Sequence, residues 1–203
     1  MLGMGKHVKQ VLKEVRYMND FLPDNYEVPS NSDNYMKFIK GDNRFRILCS
    51  PILGYEWWTE VDGLRKPRRV RMGTPIPTNE VDDPETIKHF WAMVVYNYDA
   101  KKIQILEITQ KGIQKTLKAL AKDADWGTPV KTYDIVVTRS GDGLETKYEV
   151  LPKPAKKLDE GIERLYSDMS INLEALYDGA DPFKEPEQEA EISVDEAFNA
   201  LQG

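Results

Sequence analysis

The sequence predicts a mainly β domain, on three observations. Between residues 44 and 151 the apolar residues come in strand-length blocks, each bounded by Gly, Pro, Asn or Asp. Within that span only 112–122 switches to helical period. Two further strand blocks, Tyr133–Thr138 and Thr146–Leu151, follow that helix. Strands, one helix and a closing hairpin is the order of an OB-fold, a small five-stranded barrel with a helix between its third and fourth strands. The expectation is an OB-fold-like barrel with one internal helix, flanking N- and C-terminal helices and a disordered acidic tail. The regions are 1–34 (basic helix and linker), 35–158 (barrel), 159–177 (helical region) and 178–203 (acidic tail).

In chain order, residues 4–18 set Val8, Val11, Leu12 and Val15 at helical spacing, with Lys6, Lys9, Lys13 and Arg16 around them. Pro23, Pro29, Ser30, Asn31, Ser32 and Asp33 make 23–34 a linker. Arg44–Cys49 alternates as a strand, with Phe45, Ile47 and Cys49 on one face and both arginines on the other. Tyr55–Val61 is a second strand. Its neighbours Trp57 and Trp58 must face opposite sides, one in the core and one exposed. Asp62-Gly63 is a turn, Lys66–Met72 a cationic loop or strand edge, and 73–86 a proline-bearing loop. His89–Tyr98 is a central strand that returns through Ile103–Ile108. Ile113, Leu117 and Leu120 give the internal helix. After Pro152 and Pro154, Leu158, Ile162, Leu165 and Met169 recur at i, i+4, i+7 and i+11, which predicts a helix packing on the barrel or on a neighbour. Leu173, Leu176 and Tyr177 predict a short second helix.

Charge is unevenly spread. The 203 residues carry a net −6, yet 178–203 holds eight acids against Lys184 alone. The body is therefore near neutral. Within it, 35–72 packs nine cations against four acids, among Tyr35, Phe38, Phe45, Tyr55, Trp57 and Trp58. Cations neutralise phosphates and flat rings stack on unpaired bases, so this mixture suits a single-stranded nucleic acid, DNA or RNA. The nucleic-acid candidates are Lys37, Lys40, Arg44, Arg46, Trp57, Trp58, Lys66, Arg68, Arg69, Arg71, Phe90, Tyr96, Tyr98 and Lys111. Phe90, Tyr96 and Tyr98 qualify as an exposed platform if Trp91, Met93 and Val95 face the core. In the tail, Ser193 and Glu196 form a capping box, and Val194, Phe198 and Leu201 are candidates to seat on a protein partner.

Other chemistries lack their signatures. A single cysteine, Cys49, with His7 and His89 far apart, cannot build an internal disulfide or a zinc cluster. There is no phosphate-loop or dinucleotide glycine pattern. Asp82, Asp83 and Glu85 read as solvated, His89 as structural, and Asp134 and Asp142 as isolated. The expectation is a non-enzyme without metal or cofactor. No apolar run is long enough for a bilayer and 1–10 lacks a signal core, so the expected compartment is cytoplasm.

Tyr35–Phe38, Gly41–Leu48, Lys88–Ala92, Ile105–Ile108, Tyr133–Ile135 and Arg139–Gly141 together resemble bacteriophage single-stranded-DNA-binding proteins built on an OB-fold. The resemblance covers about residues 35–158. Some members carry a Cys/His zinc cluster that this chain cannot form. The resemblance implies a protein that coats unwound DNA during phage replication, recombination or repair inside the bacterial host and recruits replication or recombination proteins through its acidic tail; self-association on DNA is a further candidate interaction. On this reading the acidic tail also competes with DNA for the groove. The other reading is an adaptor bridging replication or assembly proteins, with its aromatics in the core or facing protein.

Overall fold

The computed structural model describes residues 34–184 except 78, 80 and 82. The basic stretch 4–18, most of the 23–34 linker, and Val194, Phe198 and Leu201 lie outside the described residues. By contacts the chain divides into Met1–Asp33 and Asn34–Gly203, and the described residues belong to the second unit.

That part is mainly β. Its strands are β1 (Tyr35–Met36), β2 (Gly41–Ile47), β3 (Ile52–Val61), β4 (Leu64–Arg71), β5 (Lys88–Asn97), β6 (Lys102–Ile108), β7 (Asp134–Ser140) and β8 (Lys147–Pro152). Helix α1 (Lys111–Lys122) joins β6 to β7, and α2 (Glu160–Ser167) follows β8. The sheet is mixed and open: its path is β1–β6–β5–β2–β7–β8, with β3 on β5 and β4 on β3. The β1–β6 pair is parallel and the others are antiparallel. Residues 45–47 and 52–56 pair with successive parts of β5, so β2 and β3 form one bent edge along it. Leu48 N–H still donates to Val94 O at 2.9 Å. Pro51 has no N–H to give, and the ladder breaks there.

Two apolar layers flank the sheet. Phe45, Ile47, Met93, Val95, Leu106, Ile113, Leu117 and Ile135 pack between the sheet and α1. On the opposite face Phe90, Ala92, Val94, Ile103 and Ile105 meet Leu158, Ile162, Leu173 and Leu176. The chain after β8 therefore crosses back as a strap over the outer side of β5 and β6. At about 1.5–3 kcal/mol per buried side chain, its four anchors contribute roughly 6–12 kcal/mol. That is the scale of a domain's whole stability, so the strap is part of the fold rather than a lid.

Three elements differ from the sequence reading. The cationic run beginning at Lys66, which the sequence allows as loop or strand edge, is most of an edge strand, β4, whose start at Leu64 lies two residues earlier. The strap helix is shorter than the 158–169 stripe: the Asp159 carboxylate accepts from Gly161 N–H at 2.8 Å, so α2 begins at Glu160, leaving Leu158 outside it. In two turns, Ile162 and Tyr166 share the inward side, and Leu165 is 43% exposed. Leu173–Asp178 is a 3₁₀ helix, closed by Gly179 at φ 70°.

A candidate nucleic-acid interface at the edge of the strap

The register fixes which side chains share a face. Arg46 stands opposite Tyr96 across one ladder and opposite Asp134 across the other. Gly54 faces Phe90 and Glu107 faces Ala92, so even-numbered β3 positions join the outer layer. Through the β3–β4 pairing, Trp58 lies beside Pro67, with Arg65, Arg69 and Arg71 on the same side. Arg44, Arg46, Phe90, Tyr96, Trp58, Arg69 and Arg71 thus lie on one face. Trp57, Lys66 and Arg68 lie on the other.

Several of these cations are already committed. Asp134 Oδ2 accepts from Arg44 Nε at 2.9 Å and from Arg44 Nη2; Oδ1 accepts from Arg46 Nε and from the Tyr98 hydroxyl at 2.9 Å. Arg46 also donates to the carbonyls of Lys131 and Lys156 at 3.1 and 2.9 Å. Burial alone would raise the Asp134 carboxyl, but the hydrogen bonds from Arg44, Arg46 and Tyr98 hold it below its ordinary value. Burial, reinforced by the bond to Asp134, pushes Tyr98 up to about 12. Arg69 bridges Glu107 at 2.9 Å, while its Nε stands 3.5 Å from Glu56, too far for a hydrogen bond. Burial and the nearby Glu107 charge raise the Glu56 carboxyl. Arg71 donates to Glu174 at 2.7 Å and lies 4.5 Å over the Tyr177 ring, tying β4 to the strap.

Four candidates are therefore corrected. Arg46, only 1% exposed, is the buried counter-ion of Asp134 and cannot meet a phosphate. Arg69 is buried between two carboxylates. Trp57 is 2% exposed, so of the two tryptophans only Trp58, at 49%, can stack on anything. Phe90 belongs to the outer layer beneath the strap, with Tyr177 at 6.1 Å. The condition on parity is met, since Trp91, Met93 and Val95 face the α1 side, but at Phe90 the opposite side is a second core, and only Tyr96 and Tyr98 reach an open groove. Lys37 and Lys40 are exposed just before β2, and Lys40 pairs with Asp142 at 2.9 Å. Lys111 is exposed at the start of α1. Among the described residues Lys66 and Arg68 are exposed without an ion pair.

What the structure does bring together is Arg44, Tyr96 and Tyr98, at the end of β5 beyond the strap. Arg44 Cζ sits 4.5 Å over the Tyr98 ring, and Tyr96 meets Tyr98 edge-on at 5.1 Å. The chain leaving β8 faces them across a groove of about 760 Å³ and adds Lys156, Lys157 and Arg164 as its other wall. Exposed cations thus stand on both sides of half-buried rings. Reasoning from sequence missed these three cations, although Lys153, Lys156 and Lys157 make a short basic run between the last strand and α2. Asp159 and Glu160 also line the groove, and Glu160 takes Lys157 at 3.1 Å.

The possible chemical groups are otherwise engaged. His89 Nε2 accepts from Trp91 Nε1–H at 3.0 Å, so its Nδ1 carries the proton toward Gly54 O at 2.8 Å. Among the described residues no group of three His, Cys, Asp or Glu side chains could hold a metal, and no helix is long and apolar enough to cross a membrane. Fold and groove together define a mainly β protein with a cationic, ring-lined channel. No family model and no curated protein matches the chain.

Proposed function

We propose that the protein binds single-stranded nucleic acid without catalysing its turnover, as an OB-like β domain that coats unwound phage DNA in a bacterial host. The single observation that carries this is the Arg44–Tyr96–Tyr98 groove walled by Lys156, Lys157 and Arg164. Backbone phosphates fit exposed cations, and bases fit ring and guanidinium planes. The OB-like reading is supported by the path β6–β5–β2–β7–β8. Taking β1 and the β3–β4 hairpin as additions, α1 falls between the third and fourth of five strands. The adaptor reading is favoured by a different observation: Arg46, Arg69 and Arg71 are spent on carboxylates of the chain itself.

Oligonucleotide titration of the full chain separates the two. Lys156→Glu/Lys157→Glu changes exposed side chains only, so thermal stability should hold while affinity for an unstructured oligonucleotide falls at least tenfold. An oligonucleotide that fails to bind at low salt, or binds the double variant equally well, leaves the adaptor reading standing.

A further inference from the structure

Helix α1 carries a second cationic surface on the opposite side of the sheet from the strap. Lys111, Lys115, Lys118 and Lys122 recur at i, i+4, i+7 and i+11, so they share one ridge about 17 Å long. All four are exposed, and none has an ion-pair partner among the described residues. Like charges at this spacing repel, so the ridge gains from an external counter-charge. Beside its C-terminal half is a hollow of about 270 Å³, walled by Ile47, Pro51, Met93, Leu117, Ala121 and Val130 and edged by Lys118 and Lys122.

An apolar hollow rimmed by ammonium groups selects a segment that offers both apolar side chains and carboxylates. A polynucleotide fits it less well. The one aromatic wall residue, Trp91, is half-buried, and its N–H is already given to His89. The chain's own C-terminal segment has the complementary chemistry. Val194, Phe198 and Leu201 fall at i, i+4 and i+7, among Glu189, Glu191, Asp195 and Glu196. The described structure ends at Lys184, ten residue steps before Val194. At 3.3–3.6 Å per residue those ten steps reach about 35 Å, close to the full width of a domain of this size, and Phe198 lies four residues further on. We propose that residues 189–201 dock in their own chain on the α1 hollow, with Phe198 and Leu201 inside it and the carboxylates on the lysine ridge. This seat is separate from the Tyr96/Tyr98 groove and exists whether or not that groove takes nucleic acid.

Photocrosslinking of the full chain tests it, with Phe198→p-benzoylphenylalanine and a mixture of ¹⁵N-labelled and unlabelled protein. Attachment should map to 117–122 and 128–130 within chains of one isotope. Yield should fall at least fivefold in Lys118→Glu/Lys122→Glu, whose altered side chains are exposed, and again in Ala121→Glu, which puts a carboxylate in the hollow. Attachment at the Tyr96/Tyr98 groove, pairs of mixed isotope, no attachment, or yields indifferent to these changes would each overturn the seat. Loss of oligonucleotide affinity in the charge-reversed variant with crosslinking unchanged would reassign the ridge to nucleic acid.

Discussion

Asp134 shows how far a single residue's role depends on the fold. Alternation along β2 correctly sets Arg44 and Arg46 on the same face, yet that face is not solvent at Arg46. The carboxylate that pairs with both arginines comes from β7, with Asp134 directly opposite Arg46 in the ladder. Nothing in the local sequence announces a partner so distant, and Asp134 reads in isolation as a stray acid. In place, it is the one counter-ion, among the described residues, of a guanidinium with 2% of its side chain exposed. Asp134→Asn leaves that charge unpaired, and removing one member of such a buried pair costs about 3–5 kcal/mol. Urea unfolding at neutral pH should report a loss of that order. The pH dependence follows from the lowered carboxyl. Its contribution is present above its unfolded value, near the ordinary 3.8, and fades as pH falls through the lower folded value. The parent protein should therefore lose stability steeply below about pH 4, and the Asn variant should lose less over that interval.

At the scale of the element, the split of the two tryptophans in β3 was legible. Adjacent tryptophans in a strand cannot both be buried from one side, and the structure seals Trp57 while leaving Trp58 half in solvent. Gly54 permits the close approach of β3 to β4. A Cβ there would strike the Val70 carbonyl and crowd the Phe90 ring, so only glycine passes. What the sequence could not show is which cations share Trp58's side, because that depends on the turn at Asp62-Gly63. With Trp57 opposite Arg68, the turn puts Arg65 with Trp58 and sends Lys66 and Arg68 to the far face. Two single substitutions should therefore separate. Trp57→Ala removes a buried ring and should cost about 3–5 kcal/mol of stability, read by thermal or urea unfolding. Trp58→Ala should leave unfolding nearly unchanged and weaken oligonucleotide binding by about 1–3 kcal/mol, the worth of one stacked base. Equal affinity of the Trp58 variant and the parent would remove the hairpin from the interface.

Across the whole molecule, the strap decides how the outer face can be used. Periodicity from 158 onward indicated a helix that packs somewhere, but the target is set by which sheet face is left apolar. Val94, Ile103 and Ile105 are that target, and covering them splits the outer surface in two. The groove with Arg44, Tyr96 and Tyr98 lies at one end, and Trp58 with Arg65 at the other. Glu56 pairs with Lys88, so along the strands Trp58 and Tyr98 are twelve residues apart, roughly 40 Å at 3.3 Å per residue. A strand that keeps the duplex rise of about 3.4 Å per nucleotide needs some twelve nucleotides to touch both. Binding should therefore depend on length in a stepped way. A hexamer fills only the groove, where Arg44, Lys156, Lys157 and Arg164 can neutralise at most four phosphates. At about −0.7 per phosphate, its log affinity should fall against log salt with a slope no steeper than about −3. An oligonucleotide of twenty should give a steeper slope, quench tryptophan emission, and lose both features in Trp58→Ala/Arg65→Ala while keeping the hexamer's affinity. Identical slopes for the two lengths would mean that the hairpin end contributes nothing, and that one short groove holds all the affinity.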